Sequence, residues 1–224
     1  SAQDMNSINY LLKKGVDLDT ANSCGQTLLM KACENGHLDI VQFLLKRKTN
    51  IDIIDHLGQT ALFYAVRGNY PDIIQLLLDH GTNINHRNND HQTVFYNALF
   101  IHDLQVIKML LSNNIKLNIS VNDYNYDIIS RLIRLRLTDI LKLLIETGIN
   151  LNLVSVCNST TLMVACGMGF LDIVELLINN GIDSLNINAK NNLGDTALSI
   201  ANEHGYTEIA DSLLTKLFEC GSKF

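Results

Sequence analysis

Apolar positions along the chain fall into two alternating textures. One is a broad helical stripe. Ile40, Val41, Phe43, Leu44 and Leu45 sit at spacings that keep them on one face of a helix. The other is a shorter run opened by a Thr, with a large apolar residue two positions later. Thr27/Leu29, Thr60/Leu62, Thr93/Phe95, Thr160/Leu162 and Thr196/Leu198 all fit, and Asp127/Ile129 fills the gap as a degenerate copy. Between these runs lie stretches rich in Asn, Asp and Gly, the residues of turns. The pattern predicts a unit of short helix, turn, longer helix and loop.

The unit recurs. Successive anchors lie about 33 residues apart, with one step a residue longer and the last about three longer. Other columns keep phase with the anchor. A small residue follows it (Ala32, Ala65, Ala98, Ala165, Ala201), with Leu132 as the exception. An acidic or amide residue then precedes a β-branched one: Asp39-Ile40, Asp72-Ile73, Gln105-Val106, Asp139-Ile140, Asp172-Ile173 and Glu208-Ile209. Paired apolar residues come next, as in Leu44-Leu45, Leu77-Leu78 and Leu144-Ile145. Gly81, Gly148 and Gly181 close the segment, with Lys48 and Asn114 in the same column. The first helix is expected near Thr27 to Asn35, broken at Gly36-His37, and the second begins at Leu38 or Asp39. Asp55-His56-Leu57-Gly58 and Asn191-Asn192-Leu193-Gly194 read as hairpin tips. The alternation in Asn83-Ile84-Asn85 and Asn150-Leu151-Asn152 predicts a short extended arm.

These residues resemble the ankyrin repeat. Gly25-Gln26-Thr27 through Ala32, then Gly36-His37-Leu38-Asp39-Ile40-Val41, then Gly181-Ile182-Asp183 follow that family's pattern closely. The resemblance implies an all-α ankyrin-repeat solenoid over 1–224, with a concave groove. A partial repeat at 5–21 precedes repeats at about 22–54, 55–87, 88–121, 122–154, 155–190 and 191–219. The sequence departs from the family in lacking Pro and His after the anchor Thr, which implies a less rigid array. The copy around Asp127 is the most degenerate, and a local bend is expected there.

Composition narrows the function. Hydrophobic residues make up 47% and charged residues 18%, enough apolar material for a core. A net charge of −6 argues against nucleic acid as partner, since a phosphate backbone needs a concentrated basic surface. No apolar run approaches the roughly 20 residues that span a bilayer. The five cysteines show no Cys-x-x-Cys spacing, so neither a disulfide framework nor a zinc site is expected, and a cytoplasmic, reducing setting is. The seven histidines do not pair at i, i+4. No phosphate loop, nucleophile elbow or His-Glu-x-x-His occurs. Catalytic, metal-binding and cofactor-binding residues are all read as none. Cys33 and Cys166 share a core column, while Cys24 and Cys157 share a tip column.

What remains is an interaction surface. In the family resembled, contacts come from the hairpin tips and the inward side of the first helix. Leu57, Phe100, Ile101, Tyr124, Tyr126 and Leu135 put bulky apolar groups in those columns, and Arg67 and Arg134 add guanidinium groups. These eight form the expected partner-binding set. Arg131, Arg134, Arg136 and Lys142 make a basic cluster suited to an acidic or phosphorylated segment. The expected role is a monomeric, non-catalytic scaffold binding a protein or peptide, with no nucleic acid and no membrane. The resemblance further implies an effector or host-range adaptor. The alternative is the substrate-presenting region of a larger enzyme whose catalytic domain lies outside this chain. The resemblance also implies asparaginyl hydroxylation at Asn85, Asn118, Asn152 and Asn188.

Overall fold

The computed structural model describes residues 14–113, 128–148, 157–180 and 187–221, together with Tyr10, Ile115, Leu151, Val154 and Ser155. Its helices come in pairs. They are α1 (Leu28–Glu34) with α2 (Leu38–Lys46), α3 (Ala61–Arg67) with α4 (Pro71–Asp79), and α5 (Val94–Ile101) with α6 (Leu104–Leu111). Then follow α7 (Ile128–Arg134) with α8 (Thr138–Glu146), α9 (Thr161–Gly167) with α10 (Leu171–Asn179), and α11 (Ala197–Glu203) with α12 (Thr207–Gly221). No strand is present among the described residues; two isolated bridges, Arg87 with Thr93 and Val154 with Thr160, are the β pairing they contain.

The chain divides into two compact units, Ser1–Leu117 and Asn118–Phe224. In the first, α1, α3 and α5 pack side by side in chain order, and α2, α4 and α6 do the same behind them. In the second, α7, α9 and α11 pack in order, and α10 packs on α12. The small-residue column makes this close approach possible. Ala32, Ala65, Ala98, Ala165 and Ala201 are all buried, and a larger side chain would push neighbouring helices apart. Leu132, the exception, is fully buried in the degenerate repeat.

The first helices start where the Thr column caps them. The hydroxyls of Thr27, Thr93, Thr160 and Thr196 accept the N–H of Met30, Tyr96, Met163 and Ser199 at 3.3, 3.4, 3.2 and 3.1 Å. Where the family pattern has His, this chain places Met30 and Met163. Their sulfurs accept the Thr27 and Thr160 N–H at 3.5 and 3.4 Å, which closes a reciprocal cap. Ser199 Oγ accepts the Thr196 N–H at 2.8 Å in the same way. Thr60 is the exception. Phe63 stands at the reciprocal position, and the buried Thr60 hydroxyl has no hydrogen-bond partner. The second helices carry Asp39, Asp72, Asp139, Asp172 and Glu208 in their first turn, where the helix dipole favours negative charge.

The turn within each pair has one left-handed residue: Gly36, Asn69, His102, Arg136, Gly169 and Gly205 in successive repeats. Non-glycine residues there cost on the order of 1 kcal/mol. The neighbouring repeat supplies compensation. Asn69 Nδ2 donates to Asp103 Oδ2 at 3.0 Å. Arg136 lies 5.1 Å over the Phe170 ring and 3.5 Å from Asp172. At Gly36 and Gly169 the neighbour fills the space: a Cβ there would come within 2.6 Å of the Tyr70 ring and 2.8 Å of the Tyr206 ring.

Two expectations change. Asn83-Ile84-Asn85 forms a turn and not an extended arm: Asn83 Oδ1 accepts the Asn85 N–H at 3.2 Å, and its carbonyl accepts the His86 N–H at 3.1 Å. The apolar-polar alternation arises because Ile84 is buried while Asn83 is exposed, a pattern that a turn satisfies as well as a strand. Asn150 and Asn152, like Asn114, Asn118 and Gly181, lie outside the described residues.

Thr27→Val and Thr160→Val should each lose about 1 kcal/mol of stability in urea denaturation. Thr60→Val should cost little or stabilise, because its hydroxyl is buried without a bond to lose. Equal losses at all three positions would show that the cap is not what distinguishes them.

Candidate functional site: the tip ridge and the first-helix ends

Five tips share one turn. The N–H of Asn22, Asp55, Asn88, Ser155 and Asn191 donates to the carbonyl four residues on, at 2.9 to 3.1 Å. The same residues' side-chain oxygens accept two further N–H groups each, as Asp55 Oδ1 does from Leu57 at 2.9 Å and Gln59 at 2.8 Å. Adjacent tips are also tied by their backbones. His56 N–H donates to the Cys24 carbonyl at 3.1 Å, Asn89 N–H to the Leu57 carbonyl at 3.0 Å, and Asn192 N–H to the Cys157 carbonyl at 3.0 Å. Side chains on these tips therefore project from fixed backbone rather than from loose loops.

The sequence-derived set is divided by this geometry. In the first unit, Leu57 is 60% exposed at its tip and Phe100 is 51% exposed at the end of α5, with its ring edge-on to Tyr96 at 5.3 Å. Ile101 beside it is half-buried. Arg67 is exposed but engaged: its guanidinium lies 4.7 Å over the Tyr64 ring, 3.6 Å from Glu34 and 3.4 Å from Gln59 Oε1. Glu34 also pairs with Lys31. In the second unit, Arg134 is exposed and Leu135 is 43% exposed. Tyr124 and Tyr126 lie outside the described residues. Of the basic cluster, Arg136 is taken up by Phe170 and Asp172.

Gln59, beside the exposed Leu57 tip, is buried beneath the Arg67 contact. The sequence-derived set leaves out Leu193 and Met168. Leu193 is 87% exposed at the last tip and Met168 is 40% exposed at the end of α9. Both were legible, since Leu193 stands in the column of Leu57 and Met168 in that of Leu135.

A polar network underlies the first-unit tips. Tyr64 Oη donates to Asp55 Oδ2 at 2.5 Å and accepts from Gln26 Nε2 at 2.7 Å. Burial first, then the bond to Asp55, raises the Tyr64 pKa, so the phenol stays protonated and the link persists at neutral pH. Beside the turn of the next pair, the Asn69 amide and then the Val106 N–H hold the Asp103 carboxyl below its usual range, and it stays ionised as a helix cap. Tyr64 and Asp103 both serve architecture.

Burial keeps two of the cysteines from acting as nucleophiles. Cys33 and Cys166 are fully buried, and burial pushes both thiols from 9.0 up to about 12. Cys24 and Cys157 are exposed at tips. Among the described residues no three His, Cys, Asp or Glu side chains converge to hold a metal ion, and no helix is long and apolar enough to cross a membrane.

A thiol-reactive disulfide reagent at pH 8 should modify Cys24 and Cys157 quickly, and Cys33 and Cys166 only after denaturant is added. The two raised thiols also set a sign for alkaline stability. Above about pH 9 the unfolded chain releases these protons while the folded chain keeps them, so stability falls as pH rises toward 12. Rapid labelling of Cys33 in the native protein would contradict the buried assignment.

A family model described as ankyrin repeats (3 copies) matches residues 1–88, 50–123 and 132–223. Among solved structures, an ankyrin repeat domain from Acinetobacter baumannii AYE aligns with TM-score 0.75 and 28% identity, over 84% of this chain and 96% of that one. The ankyrin repeat domain of Bcl-3, described as a unique member of the IkappaB protein family, aligns with TM-score 0.72 and 24% identity over 86% of each chain. The human ASB11 ankyrin repeat domain aligns with TM-score 0.71 and 20% identity, over 95% of this chain and 93% of that one. Among curated proteins, a probable E3 ubiquitin-protein ligase, XBOS33, from Oryza sativa subsp. japonica is 51% identical over 35 residues. The E3 ubiquitin-protein ligase XBAT33 from Arabidopsis thaliana is 49% identical over 35 residues. Each of these matches takes in 16% of this chain and only 7% of the relative's length.

Proposed function

The chain belongs to the ankyrin-repeat family, a fold that generally mediates protein–protein interaction and is typically non-catalytic, and from that premise we propose that it is a partner-binding adaptor. The partner is a protein or peptide held along the hairpin tips and the ends of the first helices. The observation that carries this reading is the exposure of large apolar side chains on rigidly tied backbone. Leu57, Phe100, Leu135, Met168 and Leu193 all recur in the tip and first-helix-end columns. A fold that needed these residues only for packing would have buried them. Arg67, braced on Tyr64 beside Phe100, adds an aromatic-arginine pair of the kind that dominates interface energies. The chain acts as a monomer in the cytosol, and the effector or host-range type of adaptor is the form of this role that its degenerate repeats favour.

A second reading keeps the same surface and adds a catalytic neighbour. The short stretch shared with two E3 ubiquitin-protein ligases favours repeats that present a substrate to an enzymatic domain outside this chain. The binding residues are the same under both readings, so the surface is tested first.

Leu57→Ala with Phe100→Ala should reduce affinity capture of a bound protein from a eukaryotic lysate at least about tenfold, as expected for central interface residues. The melting temperature should stay within a few degrees of wild type, because both side chains are more than half exposed. Undiminished capture by the double variant would refute the role given to these two residues.

A further inference from the structure

The end-of-first-helix column carries a long or bulky side chain in nearly every repeat: Glu34, Arg67, Phe100, Arg134 and Glu203. In α9 it carries Gly167. Glycine within a helix is less stable than alanine, so its presence calls for a reason. Backbone geometry gives none. The left-handed residue of this turn is Gly169, and Gly167 has an ordinary negative-φ helical conformation. Packing gives none either. A Cβ on Gly167 would meet only Ile200 Cγ2, at an ordinary 3.5 Å, whereas one on Gly68 would strike the Tyr70 ring at 2.3 Å. Gly68 is small because the fold requires it; Gly167 is small where the fold would accept more.

The consequence is a dip on the second unit's first-helix face, where this helix end has no side chain while those of other repeats project one. Val164, one turn before Gly167, and Ile200 on α11 are half-buried beside it. Leu135 and Met168, in the adjoining column, are 43% and 40% exposed. The dip lies between opposite charges. Arg134 ends α7 on one side and Glu203 ends α11 on the other, both exposed. Beside Glu203, His204 is occupied, its Nδ1 2.9 Å from the Ile200 carbonyl and its ring stacked on Tyr206.

We propose that the Gly167 dip is a specificity notch that receives one apolar side chain from an extended segment of a partner protein, with an acidic residue of that segment at Arg134 and a basic one at Glu203. This rests on the adaptor reading and gives it a recognition rule. Packed helices stand about 8–10 Å apart, so Arg134 and Glu203 are separated by about 20 Å across α9. An extended chain rises about 3.3 Å per residue, which puts the acidic and basic residues about six apart with the apolar residue midway. The opposite charges fix the direction in which the segment lies.

The test pans a phage-displayed library of random twelve-residue peptides against the whole chain and measures the selected peptides as synthetic ligands by calorimetry. The expected peptides carry an apolar residue flanked by an acidic and a basic one at about that separation. Gly167→Leu should weaken them at least about tenfold by filling the dip. Arg134→Glu combined with Glu203→Arg should transfer preference to peptides with the two charges exchanged. Gly167→Ala should leave the melting temperature unchanged or raise it, because alanine favours the helix and its Cβ is accommodated. A lowered melting temperature in Gly167→Ala would overturn the proposal, since the smallness would then be structural. Peptides indifferent to Gly167→Leu but weakened by Phe100→Ala would overturn the notch and leave the wider adaptor reading standing. Peptides that bind the notch as helices, or a second copy of the chain found seated on it, would overturn the extended occupant. A library that yields no ligand for the wild-type chain would count against both readings.

Discussion

A single helix pair of this kind cannot bury its own apolar face, so each described pair depends on burying that face against the next. The column of Ala32, Ala65 and Ala98 lets α1, α3 and α5 come close, and Ala165 and Ala201 do the same for α9 and α11. Isolated helices of seven to nine residues are marginal in water; nearly all their stability comes from packing. This dependence has a direct functional result. Stability is spent along the stacking direction, and the tips and helix ends are left free of packing duty. Exposed Leu57, Leu193 and Phe100 are tolerated because the repeats beneath them are held by other residues.

The stitching between repeats is local and varied. Tip backbones bond tip to tip. Asp19 accepts the Asn50 N–H at 3.0 Å, and Asp52 accepts the Thr82 hydroxyl at 2.9 Å and the Asn83 N–H at 3.0 Å. The left-handed turn residue is matched to its neighbour by three different chemistries: glycine under a tyrosine ring, asparagine on an aspartate, arginine on a phenylalanine. A repeat can thus lose the family pattern at one column and keep its place in the stack. Met30 and Met163 illustrate the point, since each closes its helix cap with a sulfur where the family pattern has His.

Much of the fold was legible because helix periodicity and turn chemistry are local. Thr27, Gly36 and Leu38 marked a cap, a turn and a helix start, and the helices run Leu28–Glu34 and Leu38–Lys46. The buried Cys33 and Cys166 and the exposed Cys24 and Cys157 followed from their columns. The arm at Asn83–Asn85 was misread because period-two alternation in three residues does not separate a strand from a turn. The site was less legible. Whether Arg67 is braced, or Arg136 consumed, depends on Glu34, Tyr64 and Phe170 in other repeats, which one repeat's sequence cannot show. Gly167 was invisible for the same reason, because only the space around it distinguishes it from a structural glycine.

Hydrogen exchange on the Ala65→Asp variant tests neighbour-dependent stability most directly. A charge forced into that fully buried column should cost more than one repeat can absorb. Amide protection should then fall throughout α1 to α6 while α9 to α12 keep theirs. Loss confined to α3, with α1 and α5 still protected, would contradict the account, for it would mean that single repeats hold their structure without their neighbours.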